Sequence, residues 1–340
     1  MRSYIVIAAA AAAIACGKGA SPTAPTPVAP AAVDLKAALS NAFDTLVIPQ
    51  SSWCSISISQ HGDVLLERGR GPDGPGKIAD ADTLYRIASL TKPITASAML
   101  ISEKAGRMGL ADKINRYLPF PEPAPTIDEL IKHVPGLSDY LATSSYQSGR
   151  TSATTVDHLL SLIQPWDGVR RYQYSNSHAV LSGATLQKVN GMRYEDVLQR
   201  DIFGPAGMSR TSFALPPSTD LFPFGPTHSS WVYAAGGVTS TAADMNRFNQ
   251  ALMNNLFGFG ALDSFLDSTA GVTSFGMGSG VSNGDRRYTH AGGFDNYSSF
   301  SMMFPADRSS IVVLCSFNNN NPGTLGNLLA GMRNIMLAAK

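Results

Sequence analysis

The chain has 340 residues, enough for one large domain or two intertwined ones with an ample buried core. Charged residues make up 15% and the formal net charge is +1, so there is no electrostatic footprint for nucleic acid or another polyanion. Six histidines (61, 133, 158, 178, 228 and 290) lack His-x-x-x-His spacing, and the three cysteines lack Cys-x-x-Cys, so no metal and no other cofactor is expected.

Arg2 is followed by an apolar run from Tyr4 to Ala15, too short to span a bilayer and patterned like an export signal. The run ends in Ala13-Ile-Ala-Cys16-Gly17, which resembles the lipobox of bacterial lipoproteins, with Ala13 where Leu is usual. That resemblance implies removal of residues 1–15 and lipidation of Cys16. With Gly17 rather than Asp next, it also implies sorting to the outer membrane of a Gram-negative host, facing the periplasm or the cell surface. Ordinary secretion after cleavage at a small residue is the competing reading. Residues 16–33, rich in Ala, Pro and Thr, cannot bury a core and read as an extended tether. The folded domain is expected over residues 34–340.

Within it, Asp34 to Leu46 has helical spacing. Ser55-Ile-Ser-Ile-Ser alternates like a half-buried strand, and His61-Gly62-Asp63 turns the chain into Val64-Leu-Leu. Helices are then predicted over residues 111–117, 127–132, 156–163, 178–189 and 194–203. Strands follow over 286–290, 298–304 and 310–317, with a turn at Asp307-Arg308 and a closing helix over 325–338. Both ends of the chain would share one sheet, with a helical insertion between them.

Between the hairpin and the insertion lies Tyr85-Arg-Ile-Ala-Ser-Leu-Thr-Lys-Pro-Ile-Thr-Ala. Leu90, Ile94, Ala98 and Ile101 recur at helical spacing, Gly106 supplies the stop, and Pro93 is tolerated only near the first turn. The helix therefore begins close to Ser89, and Lys92, three residues on, shares its face. A serine hydroxyl is a poor nucleophile unaided. A desolvated Lys92 can take its proton, or a charged Lys92 can favour the ionised form of a neighbouring base. Tyr174-Ser-Asn176 offers such a base, provided an ammonium lowers the phenol from about 10, and an amide to orient the lysine. His290-Ala-Gly292-Gly293 ends a strand with glycines, which let the backbone approach a ligand and aim the Gly293 N–H at an oxyanion beside that of Ser89.

Ser-x-x-Lys, Tyr-x-Asn and His-x-Gly, in this order, resemble the three motifs of the serine β-lactamase and penicillin-binding-protein superfamily. The class C β-lactamase-like branch, with its D-Ala-D-Ala carboxypeptidases, D-aminopeptidases and esterases, is the most similar. Leu130-Ile-Lys-His-Val-Pro-Gly-Leu, Ile202-Phe-Gly-Pro-Ala-Gly-Met and Ala235-Gly-Gly-Val-Thr-Ser-Thr-Ala-Ala-Asp-Met resemble it too. The resemblance implies an α+β fold: a five-stranded antiparallel sheet flanked by helices, an all-helical subdomain, and the active site between them. It implies that Ser89 is acylated with Lys92 as its partner and Tyr174 as general base. Asn176, His290, Gly292 and Gly293 would bind substrate. His290 replaces the lysine common in class C enzymes, so attraction for a substrate carboxylate should be weaker.

Asp295-Asn296 stand where relatives carry a Gly-aromatic pair, in a loop expected to border the substrate, and Glu195 reads as a solvated residue rather than a deacylating base. The implied activity is hydrolysis of a D-Ala-D-Ala-type peptide or amide. A β-lactamase and a small-ester esterase are the alternatives within enzymes, and a penicillin-binding sensor that never turns over is the one outside them. Partners would be a small peptide, β-lactam or ester, with the membrane met through the lipid anchor only. Cys54 and Cys315 lie on the first and last strands, neighbours in this fold. A disulfide and two buried thiols both remain open.

Overall fold

The computed structural model describes residues 34–73, 76–213, 226–260, 278–282, 285–317 and 322–339; the expected signal peptide, Cys16 and the tether lie outside them. β1 (Cys54–Gln60) and β2 (Asp63–Arg70) form the hairpin, turned by His61 and Gly62 at φ 55° and 98°. A two-residue hairpin loop needs that positive pair, and Gly62 carries the larger angle. β3 (Tyr85–Arg86) pairs with β4 (Thr239–Ser240) in a separate short ribbon. β5 (Gly278–Ser282), β6 (Asp285–Phe294), β7 (Tyr297–Phe304) and β8 (Ser309–Cys315) complete the strands.

The main sheet is antiparallel throughout, in the order β2-β1-β8-β7-β6-β5. Its first five strands are the sheet implied by the sequence, and β5 adds a short sixth at the edge. The helices among the described residues are α1 (Leu35–Asp44), α2 (Thr91–Lys104), α3 (Ile127–Ile131), α4 (Ser144–Gly149), α5 (Val156–Ser161), α6 (Asn176–Asn190), α7 (Tyr194–Leu198), α8 (Ser229–Gly236), α9 (Ala242–Met253) and α10 (Pro322–Ala338).

β1 is not half-buried but buried on both faces. Ile56 and Ile58 join Leu39, Phe43, Ile311, Val313 and Leu329 in the core beneath α1 and α10. The serines turn to the other side, where Ser57 and Ser59 bond Asn246 of α9 and Ser55 bonds Tyr85 of β3. Small hydroxyls with partners can be buried at little cost, so the Ser/Ile alternation marks two kinds of interior rather than inside and outside. Cys54 and Cys315 face each other in the β1–β8 register and are joined, with Sγ–Sγ 2.09 Å and Cα–Cα 4.1 Å. The first and last strands of the domain are thus tied covalently.

The helical side packs around α6, which touches α2, α3, α5, α7 and α8. Two predicted helices are shorter than their spacing suggested. Over 111–117 only the 3₁₀ turn Ile114–Arg116 forms, because Ile114 N turns to Pro125 O and Asp112 Oδ2 takes up Gly109 N. The segment over 194–203 is α7 followed by one wide π turn, Gln199–Phe203, closed by Gly204 N to Gln199 O.

Candidate active site

Ser89 sits in a 3₁₀ turn, Ala88–Leu90, that runs directly into α2. The turn is pinned from three sides. Ile87 N donates to Val238 O, Val238 N to Thr91 Oγ1, and Ser299 Oγ on β7 to Ile87 O. That clamp holds Ala88 at φ 49°, a left-handed conformation that costs an alanine of order 1 kcal/mol or more. Gly292 on β6 packs against the same turn. A Cβ there would stand 2.3 Å from Ser299 Oγ, 2.7 Å from Ile87 O and 3.0 Å from Ser89 N, so only glycine fits without displacing the turn. Gly293, one residue on, is exposed.

Lys92 projects from the first turn of α2 and is buried, with its Nζ 3.0 Å from Ser89 Oγ, 2.7 Å from Asn176 Oδ1 and 2.8 Å from Ala235 O. Two of these partners are carbonyl oxygens, which can only accept. They consume two N–H groups and direct the third valence of the nitrogen at Ser89, where a neutral amine presents its lone pair. Burial pushes the Lys92 amine down to about 7, partly opposed by the charge of Asp139. Ala235 O comes from α8, which is broken at Tyr233 (φ 33°, ψ −129°), two residues earlier.

Asn176 opens α6 under a Ser175 N-cap. Asp139 Oδ2 accepts from both its N and its Nδ2, at 3.1 and 2.7 Å, which fixes the amide with its oxygen toward Lys92. Tyr174 OH donates to Ser89 Oγ at 2.9 Å, and Lys92 Nζ lies 4.9 Å from the ring centroid. The ring is 39% exposed while the phenol oxygen turns inward. Burial raises this phenol above its ordinary value, with only the Ser89 hydrogen bond lowering it. The lowered Tyr174 expected from a neighbouring ammonium does not appear, because burial of the phenol outweighs the one contact that lowers it.

His290 is buried, donates Nδ1–H to Ala291 O at 2.8 Å, and is pushed down to about 3 by burial and then by the charge of Lys92. It is neutral, as the substitution for lysine suggested. Asp295, in the loop after Gly293, is tied inward. Its side chain is 4% exposed and turns away from solvent onto Arg86 (3.5 Å), Arg150 (3.6 Å) and Thr227 (3.1 Å). Glu195 pairs with Arg193 at 2.9 Å, outside the site.

The structure thus brings Ser89, Lys92, Tyr174 and Asn176 together and sets Gly292 against the nucleophile's own N–H. It adds Ala235 O and Asp139, to which the sequence reading gave no role. Asp139 follows the Leu130–Leu137 stretch by two residues, but nothing in its type announces an Asn176 anchor. Behind Lys92 a cavity of about 20 Å³, lined by Thr95, Leu130, Ile131, His133 and Ser182, has room for one water.

The family description Beta-lactamase matches residues 54–330. Penicillin-binding protein 4* of Bacillus subtilis is 26% identical over 321 residues, covering 81% of this chain and 70% of the relative. The fold is similar to that of a D-amino acid amidase from Ochrobactrum anthropi (TM-score 0.72, 19% identity, 90% and 98% of the two chains). It is also similar to a D-stereospecific amidohydrolase from Streptomyces (TM-score 0.67, 22% identity, 85% and 94%).

Proposed function

The chain belongs to the Beta-lactamase family and is a serine hydrolase; from that premise we propose that it cleaves amides of D-amino acids, in the manner of a D-aminopeptidase or D-Ala-D-Ala carboxypeptidase, through a Ser89 acyl-enzyme. The observation that carries the acyl-enzyme reading is the placement of buried Lys92 Nζ 3.0 Å from Ser89 Oγ, with its other two contacts on carbonyl oxygens. Neutral Lys92 takes the Ser89 proton as Oγ attacks the carbonyl carbon. The Ser89 and Gly293 N–H groups receive the negative charge on the substrate oxygen. Lys92 returns a proton through Tyr174 OH to the leaving nitrogen, the C–N bond breaks, and an ester to Ser89 remains. Water then attacks that ester with Lys92 again as base, and Ser89 recovers its proton.

Neutral His290 leaves no fixed cation at its position for a substrate carboxylate, which favours an amidase- or aminopeptidase-type substrate over a strict carboxypeptidase. The names of the two structural neighbours support the D-configuration. We further propose that the protein is exported, anchored by a lipid on Cys16 and held at the outer membrane on the 16–33 tether. The Cys54–Cys315 disulfide, at home in an oxidising compartment, supports export.

The test is intact-protein mass after incubation with a fluorescent penicillin, beside turnover of D-phenylalanine amide, a D-Ala-D-Ala peptide, nitrocefin and a p-nitrophenyl ester, each with a Ser89→Ala control. Ser89-dependent release of ammonia from the D-amide, with the L-amide untouched, is the expected result. Fast nitrocefin turnover with an inert D-amide would replace the reading by a β-lactamase. Ester cleavage alone would replace it by an esterase, and a permanent adduct without turnover by a sensor.

A further inference from the structure

Two histidines outside this proton path hold the segment that carries Tyr174. His133, itself at φ 56°, accepts Gln173 N on its carbonyl at 2.8 Å and stacks its ring on Tyr174 at 4.7 Å and 28°. Its edge meets the ring of Tyr172 at 6.5 Å, and its Nδ1 accepts Ser175 N at 3.4 Å. One residue therefore touches every position from 172 to 175. Behind it, His178 of α6 places its Nδ1 2.8 Å from His133 Nδ1, with both side chains buried.

The Ser175 N–H on the same His133 Nδ1 favours one arrangement of protons. Ser175 N–H can only donate, so His133 Nδ1 is an acceptor and its proton sits on Nε2. The hydrogen between the two rings then belongs to His178 Nδ1, and His178 Nε2 is bare. That Nε2 is a buried atom with no hydrogen-bond partner. A proton added at His133 Nδ1 would face two donors at once and oppose the nearby Lys92. The titratable and charged groups around the pair are Lys92 on α2, His290 on β6, Tyr172 and Tyr174 on the stacked segment, and Asp139 beyond Asn176.

We propose that His133 and His178 act as one positioning unit, in which His178 fixes the tautomer of His133 and His133 holds the Tyr174 phenol on Ser89 Oγ. The proposal rests on the acyl-enzyme reading above. Tyr174 is 39% exposed and His133 is the ring stacked on it among the described residues, so loss of this support lets the phenol drift from the nucleophile. A displacement of about 1 Å at such a group costs up to ~100-fold in rate.

The experiment compares His178→Asn, whose amide can still donate to His133 Nδ1, with His178→Leu, which cannot, in the full chain. Single-turnover acylation by a p-nitrophenyl ester should stay within about threefold of wild type in H178N and fall about 10- to 100-fold in H178L, with KM little changed. The H178L pH–rate profile should gain an added acid limb from His133, absent in H178N. Equal rates in all three proteins would overturn the proposal. If H178L does not fold, ¹⁵N spectra of the wild-type imidazoles decide. His178 protonated on Nδ1 with His133 protonated on Nε2 is expected, and the reverse pattern overturns it. A wild type that fails to acylate at Ser89 would instead remove the proposed function, while the NMR result would stand on its own.

Discussion

Acylation should switch on over the pH range in which Lys92 loses its proton. An amine at about 7 is half neutral at pH 7, and every unit below that costs about tenfold in the reactive form. The second-order acylation rate should therefore be about 100-fold lower at pH 5 than on a plateau above pH 8. The useful perturbation is Asp139→Asn, because Asp139 is the charge that props Lys92 up. One amide, that of Asn176, separates the two, with 2.7 Å bonds on either side. The charges are then roughly 6 Å apart, worth about 3 kcal/mol at an effective dielectric of 20, or at most about two pKa units. Solvent at the half-buried carboxylate reduces that to about one unit. Removing the anion lowers the Lys92 pKa, so the acid limb moves to lower pH and the variant should outpace wild type at pH 5–6, per folded molecule. Stopped-flow acylation from pH 5 to 10 reads both effects. A limb centred above pH 9, as for an ordinary lysine, or a D139N limb displaced to higher pH, would refute the reasoning.

Three further outcomes follow from the same geometry. Gly292→Ala should cut acylation by about 100-fold or more in a protein that still folds, since its methyl displaces the Ser89 turn; a wild-type rate would contradict the packing. Reducing Cys54–Cys315, 261 residues apart in sequence, removes a constraint worth about 5 kcal/mol in the chain-entropy treatment and should lower the melting temperature by ~10 °C or more; identical melts with and without reductant would show the bridge to be idle. Buried His133, His178 and His290 all stay neutral in the fold, the last two down to about 3, whereas unfolded histidines charge near 6.5. Stability is thus intact above pH 6.5 and is lost as pH falls, by about 1.4 kcal/mol per unit for each histidine, and urea melts flat from pH 7 to 5 would exclude it.

What could be read from the sequence is what local rules constrain. Pro93 and Gly106 bracket α2, so the placing of Ser89 at its start follows from residues within one helix, and Lys92 follows from the helical repeat. The hairpin at His61-Gly62 and the strands over 298–317 rest equally on short-range pattern. The alternation in β1 was legible but its meaning was not, because whether a serine meets water or Asn246 depends on α9, nearly 190 residues away. The five-stranded antiparallel sheet, with its first and last strands adjacent, also came through the resemblance and not through periodicity.

The chemistry of the site was legible only in part, for one physical reason. Ser-x-x-Lys states that an amine lies beside a hydroxyl; it does not state the charge of the amine. That charge is set by burial under α6 and α8 and by which atoms receive the N–H groups, and one of those is a main-chain carbonyl that any residue at position 235 would supply. The break at Tyr233 lies two residues before it, and strain of that kind has no signature in residue type. Desolvation moves Lys92 down and Tyr174 up, which favours the first of the two roles the sequence offered Lys92, proton acceptor, over the ionised Tyr174 base, and the proposed mechanism follows that choice. If Lys92 were solvated in the same sequence, the motif would be intact and the base absent. The reactive state therefore belongs to the packing of α2, α6 and α8 around one nitrogen, and substitutions at that packing should alter the pH dependence without touching any motif residue.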